Sequence, residues 1–149
     1  MGNHPNYQLD HVHILVADRE KAAAWYERTF GFACTSRSED PYGPLVISGD
    51  GGKTGLALFT SRVAPDLNRV VAFRIDGSEF LAFASRLTQM ELYKGDGKRV
   101  VAGDVADHGD VLSYYFTDPD GNAFELATYD VEDVRRWLRG LKVEPVLRP

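Results

Sequence analysis

The run Leu9-Asp10-His11-Val12-His13-Ile14-Leu15-Val16-Ala17-Asp18 decides the fold. Side chains alternate along an extended chain, so Val12, Ile14 and Val16 share one face and His11, His13 and Leu15 the other. This is a strand with an apolar side and a side bearing two imidazoles. Asp18 then serves as a helix N-cap. Ala22, Trp25, Tyr26 and Thr29 follow at helical spacing, and Gly31 ends the helix. Three further strands are expected, Phe32 to Ser38, Leu45 to Ser48 and Thr54 to Thr60. The turn-forming pieces Asp40-Pro41-Tyr42-Gly43 and Gly49-Asp50-Gly51-Gly52 separate them.

The same order then returns. Arg69 to Ile75 reads as a strand rich in β-branched and aromatic residues. Ser78 is read as the cap of a second helix with Phe80, Leu81, Ala84 and Leu87 on its apolar side. Strands are expected over Lys98 to Ala102, Val111 to Thr117 and Asn122 to Thr128. Lys94 to Lys98, with two glycines, reads as a mobile loop. Asp118-Pro119-Asp120-Gly121 forms a tight hairpin turn, because Pro presets φ and Gly accepts a positive one. Asp130 is read as the cap of a C-terminal helix carrying Val131, Val134, Trp137, Leu138 and Leu141.

The fold class is therefore α+β, a pair of βαβββ modules plus a C-terminal helix, in one domain over residues 1–149. Module one covers about 7–60, module two about 69–129 and the helix about 131–141. The repeat lies in the order of elements, with little residue identity between halves. Ser61 to Asn68 is the expected connection.

The 149 residues are 44% hydrophobic and 26% charged, an ordinary globular balance. A net charge of −5 gives no basic footprint for nucleic acid. Arg135, Arg136 and Arg139 read as a solvated helix face. Cys34, the single cysteine, has no partner for an intramolecular disulfide and is read as buried filler. No apolar run approaches the roughly 20 residues of a membrane helix, and a cytoplasmic location is the default expectation. His4 falls in a segment expected to fray.

His11 and Glu125 are the first candidates for chemistry. Each lies on an expected strand, one per half, and imidazole nitrogen and carboxylate oxygen are ligand types of Zn, Mn, Fe, Co or Ni. The alternative for each is a structural residue with a satisfied polar group. His13 shares the face of His11 and is either a ligand or a cavity-wall residue. Tyr115 is either a substrate-contacting phenol or a core aromatic. Ser113 shares its face, and Tyr114 is expected on the opposite one. His108 lies in the loop before the Val111 strand.

Leu9 to Asp18, Ala24-Trp25-Tyr26 and Phe30-Gly31-Phe32 resemble the opening of the vicinal oxygen chelate superfamily, which holds glyoxalases, bleomycin-resistance proteins, fosfomycin-resistance thiol transferases and extradiol dioxygenases. Tyr115-Phe116-Thr117-Asp118-Pro119-Asp120-Gly121-Asn122-Ala123-Phe124-Glu125-Leu126 is similar to the superfamily's C-terminal motif. The resemblance implies mixed sheets that curl around a central cavity. It also implies a divalent metal held by His11 and Glu125 with help from His13, and a small oxygen-rich substrate met by Tyr115, Ser113 and His108. Glu125 and Tyr115 would be the catalytic residues, and the partners a small molecule and a second copy of the chain in a homodimer. Two positions depart from the ligand pattern: Val70 and Ala57 stand where relatives carry further ligands. The departure keeps a second class of function open, a metal-free protein that binds or sequesters a small molecule in the manner of bleomycin-resistance proteins.

Overall fold

The computed structural model describes residues 5–141 and 145–147. The chain divides into two compact units, one ending at Ala64 and the other beginning at Pro65. His4 lies outside the described residues.

In the first unit, β1 (His11–Val16) leads into α1 (Arg19–Phe30), followed by β2 (Ala33–Arg37), β3 (Leu45–Ser48) and β4 (Gly55–Thr60). The helix starts where Asp18 accepts hydrogen bonds from the Glu20 and Lys21 amides, and it stops at Gly31, whose φ of 73° only glycine adopts without strain. The sheet order is β1-β4-β3-β2, with β1 and β4 parallel and the other pairs antiparallel. Ile14 and Val16 are buried with Ala22, Tyr26, Leu45, Ile47, Leu56 and Leu58. His11, His13 and Leu15 face the other way and are exposed, as the alternation requires. Arg19 is buried at the start of α1 and donates to the carbonyls of Ser38, Asp40 and Gly43, which pins the turn between β2 and β3.

Cys34 is a correction. It is exposed, because it lies on β2, an edge strand whose five residues are all exposed. The Gly49 to Gly52 piece is a turn built on Asp50, whose carboxylate accepts from the amides of Lys53 and Thr54 and from the hydroxyls of Ser48 and Thr54. Those donors hold the Asp50 carboxyl far below the ordinary carboxylate range.

In the second unit, β5 (Val70–Arg74) leads into α2 (Gly77–Arg86). Then come β6 (Ala106–Asp107), β7 (Leu112–Thr117), β8 (Ala123–Thr128), α3 (Val131–Gly140) and β9 (Val146–Leu147). The sheet order is β5-β8-β7-β6-β9. Its first four strands repeat the order of the first sheet, with β5 and β8 parallel as β1 and β4 are. β9 adds a parallel edge beyond β6 that the repeat does not contain. Phe80 and Phe83 of α2 pack on Tyr114, and Phe83, Phe116 and Phe124 extend the same aromatic core. Tyr114 thus lies on the helix side of β7, as expected, with its hydroxyl donating to the Ala102 carbonyl at 2.7 Å. Burial in this core raises the Tyr114 phenol above its ordinary range.

Four local readings are corrected in this unit. Asp76, not Ser78, caps α2: its carboxylate accepts the Glu79 amide while Glu79 reaches back to the Asp76 amide. Asp130 stands at the N-cap position of α3 but makes no side-chain cap there. Its carboxylate accepts the Gly77 amide at 2.6 Å and so serves the start of α2. Lys98 to Ala102 joins no sheet. It folds back on Leu92 to Lys94 as a small hydrogen-bonded hairpin, with Lys94 N–H donating to the Lys98 carbonyl and Val100 N–H to the Leu92 carbonyl. Asp104 then takes the Val101 amide and turns the chain into a 3₁₀ turn over Ala102–Asp104, which ends any extended run. The second strand of this half is the two-residue β6 instead. Arg135 likewise departs from the solvated-face reading: it is half-buried, and its guanidinium grips Asp107 through two nitrogens at 3.0 and 2.7 Å. Among the described residues no helix is long and apolar enough to cross a membrane.

Candidate functional site

The first unit presents its polar face on β1. His11 pairs with Gly55 and His13 with Ala57 across the parallel strands. Gly55 and the small Ala57 leave the imidazoles standing above the sheet, and His13 leans on Phe59 with ring centroids 4.7 Å apart. The two imidazoles stack at 5.1 Å with an interplanar angle of 13°, and their Nε2 atoms are 3.1 Å apart. Asp10 Oδ2 is 2.5 Å from His11 Nδ1. A carboxylate at Nδ1 takes the proton of that nitrogen as its hydrogen-bond donor, so Nε2 of His11 carries the lone pair.

The second unit presents its polar face on β7 and β8. The turn at Asp118 sets its register: Asp118 is buried and accepts the amides of Asp120 and Asn122, and Gly121 takes a φ of 90°. With the hairpin fixed in this way, Tyr115 lies directly opposite Glu125 and Ser113 opposite Ala127. Ser113 is fully buried and donates its hydroxyl to Glu125 Oε1 at 2.5 Å. His108 Nε2 is 3.1 Å from the Tyr115 hydroxyl. His108 occupies the turn between β6 and β7, where its amide donates to the Val111 carbonyl. Arg135 holds that turn through Asp107 and the Gly109 carbonyl. This contact keeps the Asp107 carboxyl below the ordinary carboxylate range.

The structure therefore brings together His11 with His13, Ser113 with Glu125, and His108 with Tyr115. His11 and His13 belong to the first unit and the other four to the second. Two supporting residues carried no functional signal in sequence: Asp10, one residue before β1, and Arg135, 28 positions from its partner Asp107. A cleft in the second unit lined by Arg74, Ile75, Asp76, Glu79, Tyr129 and Asp130 contains none of these site residues. Its polar groups hold helix ends and the Arg74–Tyr129 stack.

The register also fixes which positions correspond between the units. Glu125 lies opposite Ala72 and Val70 opposite Ala123, while Ala57 lies opposite His13 and His11 opposite Gly55. Ala57 is thus the mate of Glu125, and Val70 the mate of His11. Among the described residues no group of three or more His, Cys, Asp or Glu side chains is gathered at metal-binding spacing. The His11–His13 pair nonetheless suits a divalent metal. Two ligand nitrogens at about 2.0–2.1 Å from a tetrahedral ion stand about 3.3 Å apart, close to the observed 3.1 Å.

Residues 8–126 match the Glyoxalase/Bleomycin resistance protein/Dioxygenase superfamily. The chain is 31% identical over 130 residues to the metallothiol transferase FosB of Lysinibacillus sphaericus (strain C3-41), covering 84% of each chain. Its fold is similar to that of the lactoylglutathione lyase of Agrobacterium tumefaciens, at a TM-score of 0.61 and 18% identity, over 83% of this chain and 95% of that one. It is also similar to TnmS3, an antibiotic binding protein from Streptomyces sp. CB03234, at a TM-score of 0.60 and 24% identity, over 85% and 99%. The paired βαβββ units and the sequence together place this chain in the glyoxalase/bleomycin resistance/dioxygenase superfamily.

Proposed function

We propose that the protein is a divalent-metal-dependent enzyme acting on a small oxygen-rich substrate, with His11, His13 and Glu125 as the metal ligands. The observation that carries this reading is the convergence of the two β1 imidazoles, with Nε2 atoms 3.1 Å apart and Asp10 fixing the tautomer of His11. Such a pair supplies nitrogen donors that the replacement of histidine by Val70 would otherwise leave short. A bound divalent ion supplies Lewis-acid stabilisation of negative charge on a substrate oxygen. Tyr115 orients the substrate by donating from its phenol, and His108 holds that phenol from the far side. Glu125, as well as ligating, is the carboxylate available to take a proton. Of the reaction types in the superfamily, thiol transfer is favoured by the 31% identity to a metallothiol transferase. A homodimer in a cytoplasmic setting completes the reading.

A second reading, a metal-free binding protein, is favoured by the apolar side chains of Val70 and Ala57 at the two remaining ligand positions. Metal analysis separates the two. Protein purified without added metal, then loaded with Zn, Mn or Co, should retain about one ion per chain. His11→Ala, His13→Ala and Glu125→Ala should each lose it. A wild-type chain that takes up no ion under any loading condition sinks the enzyme reading and leaves the binding protein.

A further inference from the structure

Ser113 has a hydroxyl with an unusual assignment. A buried strand serine ordinarily satisfies its hydroxyl on a nearby backbone carbonyl. Here the hydroxyl crosses from β7 to β8 and donates to a side-chain carboxylate, Glu125 Oε1, at 2.5 Å. Ser113 is fully buried, and its neighbours across the sheet are Ala106 on one side and Ala127 on the other, both small and buried. The serine is thus held in place by packing, and the hydroxyl is a fixed donor. A charge-assisted bond of this length is among the stronger hydrogen bonds a hydroxyl makes. It selects one carboxylate oxygen of Glu125 and restricts rotation of the side chain.

We infer that Ser113 is a positioning residue that orients Glu125 as a one-oxygen metal ligand, with Oε1 committed to the serine and Oε2 left for the ion. This inference rests on the reading of Glu125 as a ligand. It moves Ser113 from substrate contact, the role the resemblance implies, to the support of a ligand. Partners of this kind fix ligand orientation, and their removal costs about 10–100-fold in metal affinity.

The test uses the full chain and Co2+ as the probe. The dissociation constant is measured by competition with a chelator, and the visible absorption of the cobalt-loaded protein is recorded. Ser113→Ala should bind Co2+ about 10–100-fold more weakly and shift the visible bands, because the carboxylate is free to rotate or to bind through both oxygens. Ser113→Thr, which keeps the hydroxyl, should recover most of the affinity and the original bands. Far-UV circular dichroism confirms that each variant is folded. Should Ser113→Ala fail to fold, Ser113→Val, which matches the Ser113→Thr variant in shape but carries no donor and no metal-binding group, takes its place with the same outcomes. Wild-type affinity and an unchanged spectrum in the donor-deficient variant overturn the inference and leave the ligand reading intact. Wild-type protein that takes no Co2+, or Glu125→Ala that takes it as wild type does, overturns the ligand reading itself and the inference with it.

Discussion

Asp10 decides which nitrogen of His11 faces outward. Its carboxylate is almost fully exposed, yet it sits 2.5 Å from Nδ1 and fixes the ring in the tautomer whose Nε2 can bind a metal. Asp10→Ala should therefore weaken Zn2+ or Co2+ binding by roughly tenfold or more. Its effect on unfolding free energy should stay within about 0.5 kcal/mol, as for other exposed positions. Asp10→Asn should lose less, because its amide oxygen still accepts from Nδ1. A chelator-competition titration alongside urea denaturation checks both quantities, and unchanged affinity in Asp10→Ala would remove the tautomer argument. At this scale the sequence was informative where strand period applied and silent elsewhere. Alternation alone put His11 and His13 on one face, and Tyr115 with Ser113 on another. That Asp10 serves His11 depends on a χ angle, and that His108 meets Tyr115 depends on the path of a turn. Neither leaves a periodic trace.

The same limit governs the elements. Helices and strands with long apolar periods fell where expected: α1 between Asp18 and Gly31, and the β7–β8 hairpin around Asp118 to Gly121. Lys98 to Ala102 carries the β-branched pair Val100-Val101 of a strand, but its backbone partners are Leu92 to Lys94 in a local hairpin, a choice that tertiary pairing makes and residue propensity cannot. Ser78 and Asp76 are both good caps by composition, and only the backbone bonds distinguish them. Arg135 is the element-scale contact with the largest consequence, since it ties α3 to the β6–β7 turn that carries His108. Arg135→Ala should cost about 2 kcal/mol of unfolding free energy, the range for hydrogen bonds to charged groups. The pH dependence has a definite sign. Asp107 titrates below its ordinary value when folded, because of Arg135 first and the Gly109 amide among the rest. Its contribution is present above the ordinary carboxylate value of about 3.9 and is lost as pH falls through the folded value below it. The gap between wild type and Arg135→Ala should thus be constant from neutral pH down to that range and close only beneath it. Urea unfolding along a pH series reads this directly. A gap that closes nearer neutrality would point to a histidine rather than Asp107.

Across the whole chain, the duplication is symmetric in backbone and divided in chemistry. In each unit the first strand runs parallel to the last, and two positions sit one diagonal step apart on one face: His11 and Ala57 in the first, Val70 and Glu125 in the second. Diagonal neighbours on a sheet face lie about 7–8 Å apart, within reach of long side chains. The first unit keeps the imidazole of this pair and the second keeps the carboxylate. The order of elements was legible in sequence because it depends on apolar periods. The division of chemistry emerges only once the register shows which residues are mates. The two apolar mates are not equivalent. Ala57 is 2% exposed, so Ala57→Glu buries a carboxylate and should destabilise the fold by several kcal/mol. Val70 is 45% exposed, so Val70→His should fold as wild type does. Val70→His completes a histidine–glutamate diagonal within the second unit. It should tighten Co2+ binding by about tenfold or more, equivalent to about 1.4 kcal/mol from one further ligand. If His13 supplies what Val70 lacks, His13→Ala should abolish binding in the wild-type background and be tolerated in the Val70→His background. Chelator competition on the four chains, wild type, each single variant and the double, measures that coupling. Equal losses from His13→Ala in both backgrounds would show that His13 is no substitute for the absent histidine.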